Sequence, residues 1–180
     1  MHVDLKSVLL KVERAENVVE FSKFIVFFGV DDAEVFDLLL DAYARKIRET
    51  TVDGILTVLV NLAHTLSPSA SQAFKLANQE FGQRLRFEYQ ALHYDLYVNA
   101  EDLSKILTVL LDHHQLDGDL KQQVIDSIGE NRSQYTFEIM ADLAVIYATK
   151  MDPKYQELFF SKYMHAFVRN LPYLKEETLY

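Results

Sequence analysis

Residues 55–68 have the sequence Ile-Leu-Thr-Val-Leu-Val-Asn-Leu-Ala-His-Thr-Leu-Ser-Pro, which carries both signals that decide the fold. Its apolar residues recur three and four positions apart, so they form one stripe on a helix: Ile55, Val58, Leu59, Leu62, Ala63 and Leu66. Ser67 then stands before Pro68, and a capping residue followed by proline is typical of the start of a helix. The stretch therefore predicts one helix, a short turn and a second helix.

The same spacing extends along most of the chain, and the alternation of period two that marks strands is nowhere sustained. We predict an all-α protein with helices at 4–16, 18–29, 33–48, 52–66, 69–84, 86–97, 100–114, 118–131, 136–150 and 153–170. Because the loops between them are short, neighbouring helices are expected to be antiparallel and to bury their stripes against the next pair.

An internal repeat divides the chain into two halves. Residues 21–25 match residues 103–107 at a displacement of 82 positions, and from Glu34 onward the displacement is 85. A three-residue insertion near His113 to Asp117 accounts for the change. Further pairs at 85 positions are Asp41 with Asp126, Thr51 with Thr136, Ala63 with Ala148, Pro68 with Pro153 and Phe74 with Phe159.

The repeat predicts a single domain, 1–180, with halves 18–85 and 100–171 joined by an aromatic helix at 86–97. Each half contains two hairpins, so the expected fold is a short right-handed α-solenoid of about four helix-turn-helix hairpins.

Composition limits the partners and the environment. The formal net charge is −9, which repels a phosphate backbone, and there is no cysteine for disulfides or thiolate metal sites. The longest apolar run, Phe24 to Val30, is far shorter than the roughly 20 residues of a membrane-spanning helix. Acidic residues dominate 99–130, where a solvated face and a docking surface for a basic partner are both open interpretations.

The unit length and the proline-marked turns in 52–85 and 137–171 resemble the α-hairpin repeat superfamily, in particular pentatricopeptide-like and heptatricopeptide-like organellar repeats. The chain lacks the Trp of the tetratricopeptide pattern. The resemblance implies a scaffold or adaptor within a larger assembly. An example of this kind is the pentatricopeptide-like peripheral subunit of the euglenozoan mitochondrial F1-ATPase.

The sequence contains no pattern that predicts catalysis, a cofactor or a metal. The glycines are scattered singly, so no glycine-rich loop can hold a phosphate. His113 and His114 are adjacent and point about 100° apart on a helix, which suits a helix end better than a shared metal. Glu34, Asp37 and Asp41 fall on one side of a helix, which is typical of a solvent face.

Aromatic residues are the best candidates for binding a partner. The predicted helix 86–97 is apolar on two faces, so it is either a buried joint between the halves or an anchor for another protein. The last helix carries Phe and Met on several sides, and we expect its own tail, a second copy or another subunit to cover it. The candidate partner-binding residues are Tyr89, Tyr94, Tyr97, Phe160, Tyr163 and Phe167.

These observations favour a non-catalytic scaffold, adaptor or structural subunit that binds other proteins. The resemblance implies an organellar assembly, and the sequence itself leaves both the mitochondrial matrix and the cytoplasm open as compartments. The alternative is an organellar RNA-binding repeat protein, which would use short basic clusters at 45–48 and 84–86. Co-purification with a protein and salt-dependent binding to single-stranded RNA would distinguish the two.

Overall fold

The computed structural model describes residues 4–86, 96 and 98–170, with side chains as far as His165. Over this part of the chain the protein is all-helical and has no strand. The helices are α1 (Leu5–Leu10), α2 (Ala15–Phe27), α3 (Ala33–Lys46), α4 (Val52–His64), α5 (Ser69–Arg84), α6 (Asp102–Asp112), α7 (Gly118–Glu130), α8 (Phe137–Lys150) and α9 (Pro153–Asn170). Two 3₁₀ turns, Ile47–Glu49 and Arg132–Gln134, complete the described elements. None of these helices combines the length and the apolar character that crossing a bilayer requires.

Side-chain caps set several helix starts where the sequence predicted them. The Thr51 hydroxyl accepts a hydrogen bond from the Gly54 N–H at 3.0 Å, and Thr136 accepts one from the Ile139 N–H at 3.3 Å. The Ser67 hydroxyl likewise accepts from the Ser69 N–H at 3.2 Å. Each bond satisfies an amide that has no partner inside its own helix.

The described helices pack in two rows. One row runs α2, α4, α6, α8 and the other runs α1, α3, α5, α7, α9, with each helix contacting the next in its row. Sequential helices also pack across the rows, as in α2 with α3, α4 with α5 and α8 with α9. One continuous hydrophobic core lies between the rows. Contacts are therefore made mainly between neighbours along the stack.

The helix boundaries repeat at a displacement of 85 positions. The two 3₁₀ turns, Ile47–Glu49 and Arg132–Gln134, are related in this way, and so are the first residues of α4 and α8. The same displacement relates two helix ends with left-handed backbone, at Gly29 (φ 61°) and His114 (φ 55°). The described helices of the two halves therefore follow one another with the same spacing along the chain.

The predicted displacement of 82 positions for 21–25, and with it the insertion near His113 to Asp117, was wrong. At 85 positions, Ser22 corresponds to Leu107 and Ile25 to Leu110, and each of these four residues is at most 1% exposed. The mistake arose because 82 and 85 differ by three residues, close to one helical turn, so both alignments match apolar residues on one face.

The predicted helix 4–16 was also wrong in its extent. Helix α1 ends at Leu10, and Arg14 is extended (φ −116°, ψ 136°) before α2 begins. Helix α1 packs on α3, whereas α2 packs on both α3 and α4, so the chain changes direction between them at residues 11–14. The predicted aromatic helix 86–97 lies outside the described residues, except for Arg86 and Leu96.

Candidate binding surfaces

An apolar groove lies between α1 and α2 at the N-terminal end of the two rows. Its volume is about 560 Å³. The residues that line it are Leu5, Val8, Lys11, Val12, Asn17, Glu20, Phe21 and Phe24. Most of this lining is aliphatic or aromatic, whereas an ordinary solvent-facing groove is lined mainly by polar side chains.

Four phenylalanine rings continue the groove along α2, and we call Phe21, Phe24, Phe27 and Phe28 the phenylalanine row. Ring centroids are 5.9 Å apart for the first pair, 4.4 Å for Phe24 and Phe28, and 4.9 Å for Phe27 and Phe28. Phe27 is 82% exposed and Phe28 is 63% exposed. The row is therefore a continuous aromatic surface in contact with solvent.

The repeat shows what the groove corresponds to elsewhere in the fold. At 85 positions, Glu20 on α2 corresponds to Lys105 on α6, and Lys105 lies 3.7 Å from Asp53 of the neighbouring helix α4. Phe21 likewise corresponds to Ile106, which is 1% exposed. The groove side of α2 is thus equivalent to the side of α6 that packs against the preceding helix of its row. Among the described helices, α2 packs closely on α3 and α4, and on its groove side it faces only the short helix α1.

The predicted partner-binding residues are distributed differently. Tyr89, Tyr94 and Tyr97 lie outside the described residues, as does the Phe167 side chain. Phe160 is half-buried and packs edge-on against Phe159 with centroids 5.2 Å apart. Tyr163 is only 3% exposed and its hydroxyl donates to the Ile125 carbonyl, so its ring packs within the protein.

Helix α9 is less exposed than the sequence suggested. Its aromatic side turns inward, with Phe159 at 0% exposure and stacked on Tyr147 at a centroid distance of 4.5 Å. Leu158 and Met164 remain 37% and 47% exposed. The described part of α9 therefore leaves a small apolar surface, and the larger one lies at the other end of the stack.

The acidic residues of 99–130 are partly matched by lysines on the following hairpin. Asp112 lies 3.6 Å from Lys150 and Asp126 lies 4.0 Å from Lys162. These pairs are exposed, and exposed pairs contribute little to stability. They favour the interpretation of this segment as a solvated face.

The predicted basic clusters are largely engaged within the protein. The Arg84 side chain is 0% exposed and its Nε donates to Glu80 Oε1 at 3.0 Å. Arg45 reaches the Leu9 carbonyl at 3.4 Å, and Lys46 lies 3.6 Å from Glu49. Only part of each cluster is therefore available to a phosphate backbone.

The described residues contain no group of three His, Asp or Glu side chains close enough to hold a metal. His113 Nδ1 lies 2.9 Å from the Val109 carbonyl and its ring packs against Phe74, while His114 is the exposed residue that ends α6. Asp37 accepts a hydrogen bond from the Ser69 hydroxyl at 2.7 Å. These contacts hold the His113 ring and the Asp37 carboxylate against α5.

Sequence reasoning missed the phenylalanine row as a site. The available signal was the run Phe24 to Val30, because a helix buried on one side only cannot bury seven consecutive apolar residues.

No protein family, no curated protein and no solved structure matches this chain.

Proposed function

We propose that this protein is a non-catalytic adaptor built as a short α-solenoid, and that the groove between α1 and α2 binds an amphipathic helix of a partner protein. The observation that carries the proposal is the exposed phenylalanine row, with Phe27 at 82% and Phe28 at 63% exposure. Contiguous apolar surface of this kind is costly in water, and on natural proteins it marks interaction sites.

The spacing of the phenylalanine row supports a helix as the ligand. Helices recognised in grooves insert apolar side chains at i, i+3 or i+4, and i+7, and the phenylalanine row offers aromatic surface at matching intervals. A helix in this groove would lie beside α2 as α4 lies beside α6. It would therefore extend the row of helices α2, α4, α6 and α8 by the same kind of packing.

Charge specifies the partner further. Lys105 on α6 lies near Asp53 of α4, and the equivalent residue on α2 is Glu20, which lines the groove. A partner helix that packs in the same way would place its polar edge beside Glu20. We therefore propose an amphipathic helix with Lys or Arg at that edge.

Binding to RNA is the weaker candidate. The net charge of −9 opposes it, and Arg84, Arg45 and Lys46 contact groups within the chain. A location in mitochondria, which the resemblance to organellar repeat proteins implies, remains a proposal that depends on the partner.

Site-specific photo-cross-linking in the native cell tests the proposal. A benzophenone amino acid at Phe28 should cross-link to an amphipathic helix of one partner. The same probe at Val145, which is 62% exposed on α8, serves as the matched control and should not. Cross-links from Phe28 to RNA, to a second copy of this chain, or to the same proteins as the control would contradict it.

A quantitative test follows once that helix is available as a synthetic peptide. The change Phe28→Ala should weaken binding by about 30-fold, since truncating an aromatic anchor typically costs about 2 kcal/mol or more. Val145→Ala should leave the affinity unchanged. Because both side chains are exposed, neither change should alter the circular dichroism spectrum.

A further inference from the structure

Another pocket, of about 300 Å³, lies between α7 and the last hairpin, at the opposite end of the stack from the phenylalanine row. It is formed by α7, the turn Arg132–Gln134, α8 and α9. The residues that line it are Ile128, Arg132, Tyr135, Met140, Lys162, Tyr163 and His165.

The repeat shows that this pocket replaces a filled part of the core. The seven equivalent residues in the first half are all buried, with exposures of 0 to 6%: Tyr43, Ile47, Thr50, Ile55, Ala77, Asn78 and Glu80. In the first half, Arg84 closes this region by donating from Nη2 to the Ile47 carbonyl at 2.8 Å. In the second half, Arg132, Lys162 and His165 are exposed at the mouth of the pocket.

The chemistry also changes between the halves. Ile47 corresponds to Arg132, and Ala77 corresponds to Lys162. Glu80 corresponds to His165, so an acidic side chain in the first half is replaced by a histidine. Three basic side chains thus converge on one pocket of a chain whose net charge is −9.

These basic groups are weakly matched by the described acidic residues. The carboxylate nearest to Lys162 belongs to Asp126 at 4.0 Å, and no described carboxylate lies within 4.0 Å of Arg132 or His165. The floor of the pocket is apolar or aromatic, with Ile128 at 2%, Tyr163 at 3% and Met140 at 8% exposure. Lys162 lies close to Gly129, because a methyl group at that position would be only 3.2 Å from Lys162 Nζ.

We infer that this pocket is a binding site for an acidic peptide of a partner protein, in which an Asp or Glu neighbours an apolar or aromatic side chain. The apolar side chain would occupy the floor, and the carboxylate would pair with Arg132 and Lys162 at the mouth. An arginine fork matches a carboxylate in two hydrogen bonds, which favours a carboxylate over a diffuse anionic surface. The inference is independent of the proposed function, because it concerns another site and a ligand of different chemistry.

Fluorescence anisotropy with two labelled peptides tests the inference on the full chain. The acidic probe is acetyl-Glu-Glu-Tyr-Leu-amide, and its neutral twin is acetyl-Gln-Gln-Tyr-Leu-amide. We expect the acidic probe to bind and the twin to bind at least about tenfold more weakly, since a charge-assisted hydrogen bond contributes more than 1 kcal/mol. Equal binding of both peptides, or no binding of the acidic one at millimolar concentration, would overturn the inference.

Two exposed arginines provide a matched pair of variants. Arg132→Gln should weaken the acidic probe about tenfold. Arg48→Gln, which alters an exposed arginine in the equivalent 3₁₀ turn of the first half, should have no effect. An equal loss of affinity in both variants would show that the probe responds only to the overall charge of the protein, and would overturn the inference.

The chain itself contains an acidic and aromatic segment after α9, with Tyr173, Glu176 and Glu177. A variant with Glu176→Gln and Glu177→Gln shows whether this segment or a partner's peptide occupies the pocket. If the acidic probe binds only in that variant, the occupant is the chain's own segment and the partner site is overturned. If the probe binds equally well without these changes, the partner site is supported.

Discussion

At the residue scale, the most consequential group is the ion pair between Glu80 and Arg84. Both residues belong to α5, and the Arg84 side chain is completely buried. Its Nε donates to Glu80 and its Nη2 donates to the Ile47 carbonyl, so one guanidinium joins the end of α5 to the turn after α3. Two charges that are removed from water need such contacts to offset the loss of hydration.

Removing one member of this pair should be strongly destabilising. We expect Arg84→Met to lower the free energy of unfolding by about 3–5 kcal/mol, because it breaks a buried ion pair and removes the donor to the Ile47 carbonyl. Urea unfolding followed by circular dichroism measures the change. Adding Glu80→Leu to the variant should recover part of the loss. A double variant whose loss of free energy of unfolding equals the sum of the two single losses would contradict this account.

Buried tyrosines give the protein a predicted sensitivity to alkali. Burial raises the pKa of Tyr163 to about 12 and raises the pKa values of Tyr43 and Tyr147 well above their ordinary value of 10. Because the folded pKa is higher than the unfolded one, the folded state holds these protons more tightly. The contribution to stability is complete below pH 10 and is lost as the pH rises from 10 towards 12.

Denaturant midpoints measured between pH 8 and 12 test this expectation. The midpoint should fall above pH 10 in the native chain and fall less steeply in Tyr163→Phe, which has no proton to lose there. Identical slopes for the two proteins would show that Tyr163 does not contribute.

At the element scale, close helix packing depends on glycine at α4. A methyl group on Gly54 would lie 2.8 Å from the Thr50 Cγ2 and 3.1 Å from a methyl of Val19 on α2. Thr50 is β-branched and buried, so it cannot easily move away. The contact between α2 and α4 therefore requires a residue without a side chain at this position.

Two glycine substitutions should change the stability of the fold in opposite directions. Gly54→Ala should destabilise the fold by about 1–3 kcal/mol through overpacking. Gly82→Ala should be neutral or stabilising by up to about 1 kcal/mol, the gain in helix propensity, since its methyl would meet only the mobile end of Gln123. Thermal unfolding of both variants measures the difference, and an equal loss in each would contradict the packing argument.

At the scale of the whole molecule, the two halves are joined where α4 meets α6 and α5 meets α7. Asn78 on α5 lies at this junction and is 4% exposed. Its amide donates to the Gln115 carbonyl at 2.7 Å, and its carbonyl accepts from the Asp117 N–H at 2.9 Å. One side chain thus satisfies two backbone groups of the second half.

Loss of this junction should uncouple the halves. In a stack that is held by contacts between neighbours, stability depends on the interfaces as well as on each unit. We expect Asn78→Leu to broaden thermal unfolding into two transitions, because it removes two partly buried hydrogen bonds that connect α5 to the second half. Calorimetry would detect this, with Asn61→Leu in the first half as the control that keeps one transition; a single sharp transition in Asn78→Leu would contradict it.

Much of the fold could be predicted from the sequence because the positions of its helices depend on patterns that span only a few residues. The stripe at 55–66 and the Ser67-Pro68 signal mark two helices that the structure contains, since propensity and capping act within a few residues. The register of Ser22 and the end of α1 could not be predicted. Both depend on which neighbour each helix packs against, and a helix shifted by one turn presents nearly the same face.

By itself, the sequence determined the helical class, most helix boundaries and the repeat from Glu34 onward, because period, caps and prolines act over short distances. Only the tertiary structure decided which apolar and charged residues remain available for binding. Phe27 and Phe28 remain exposed at the end of α2, while Tyr163 and Arg84 are buried by contacts with residues distant in sequence. Exposure is a property of the neighbours that a residue acquires on folding, and local pattern does not specify them.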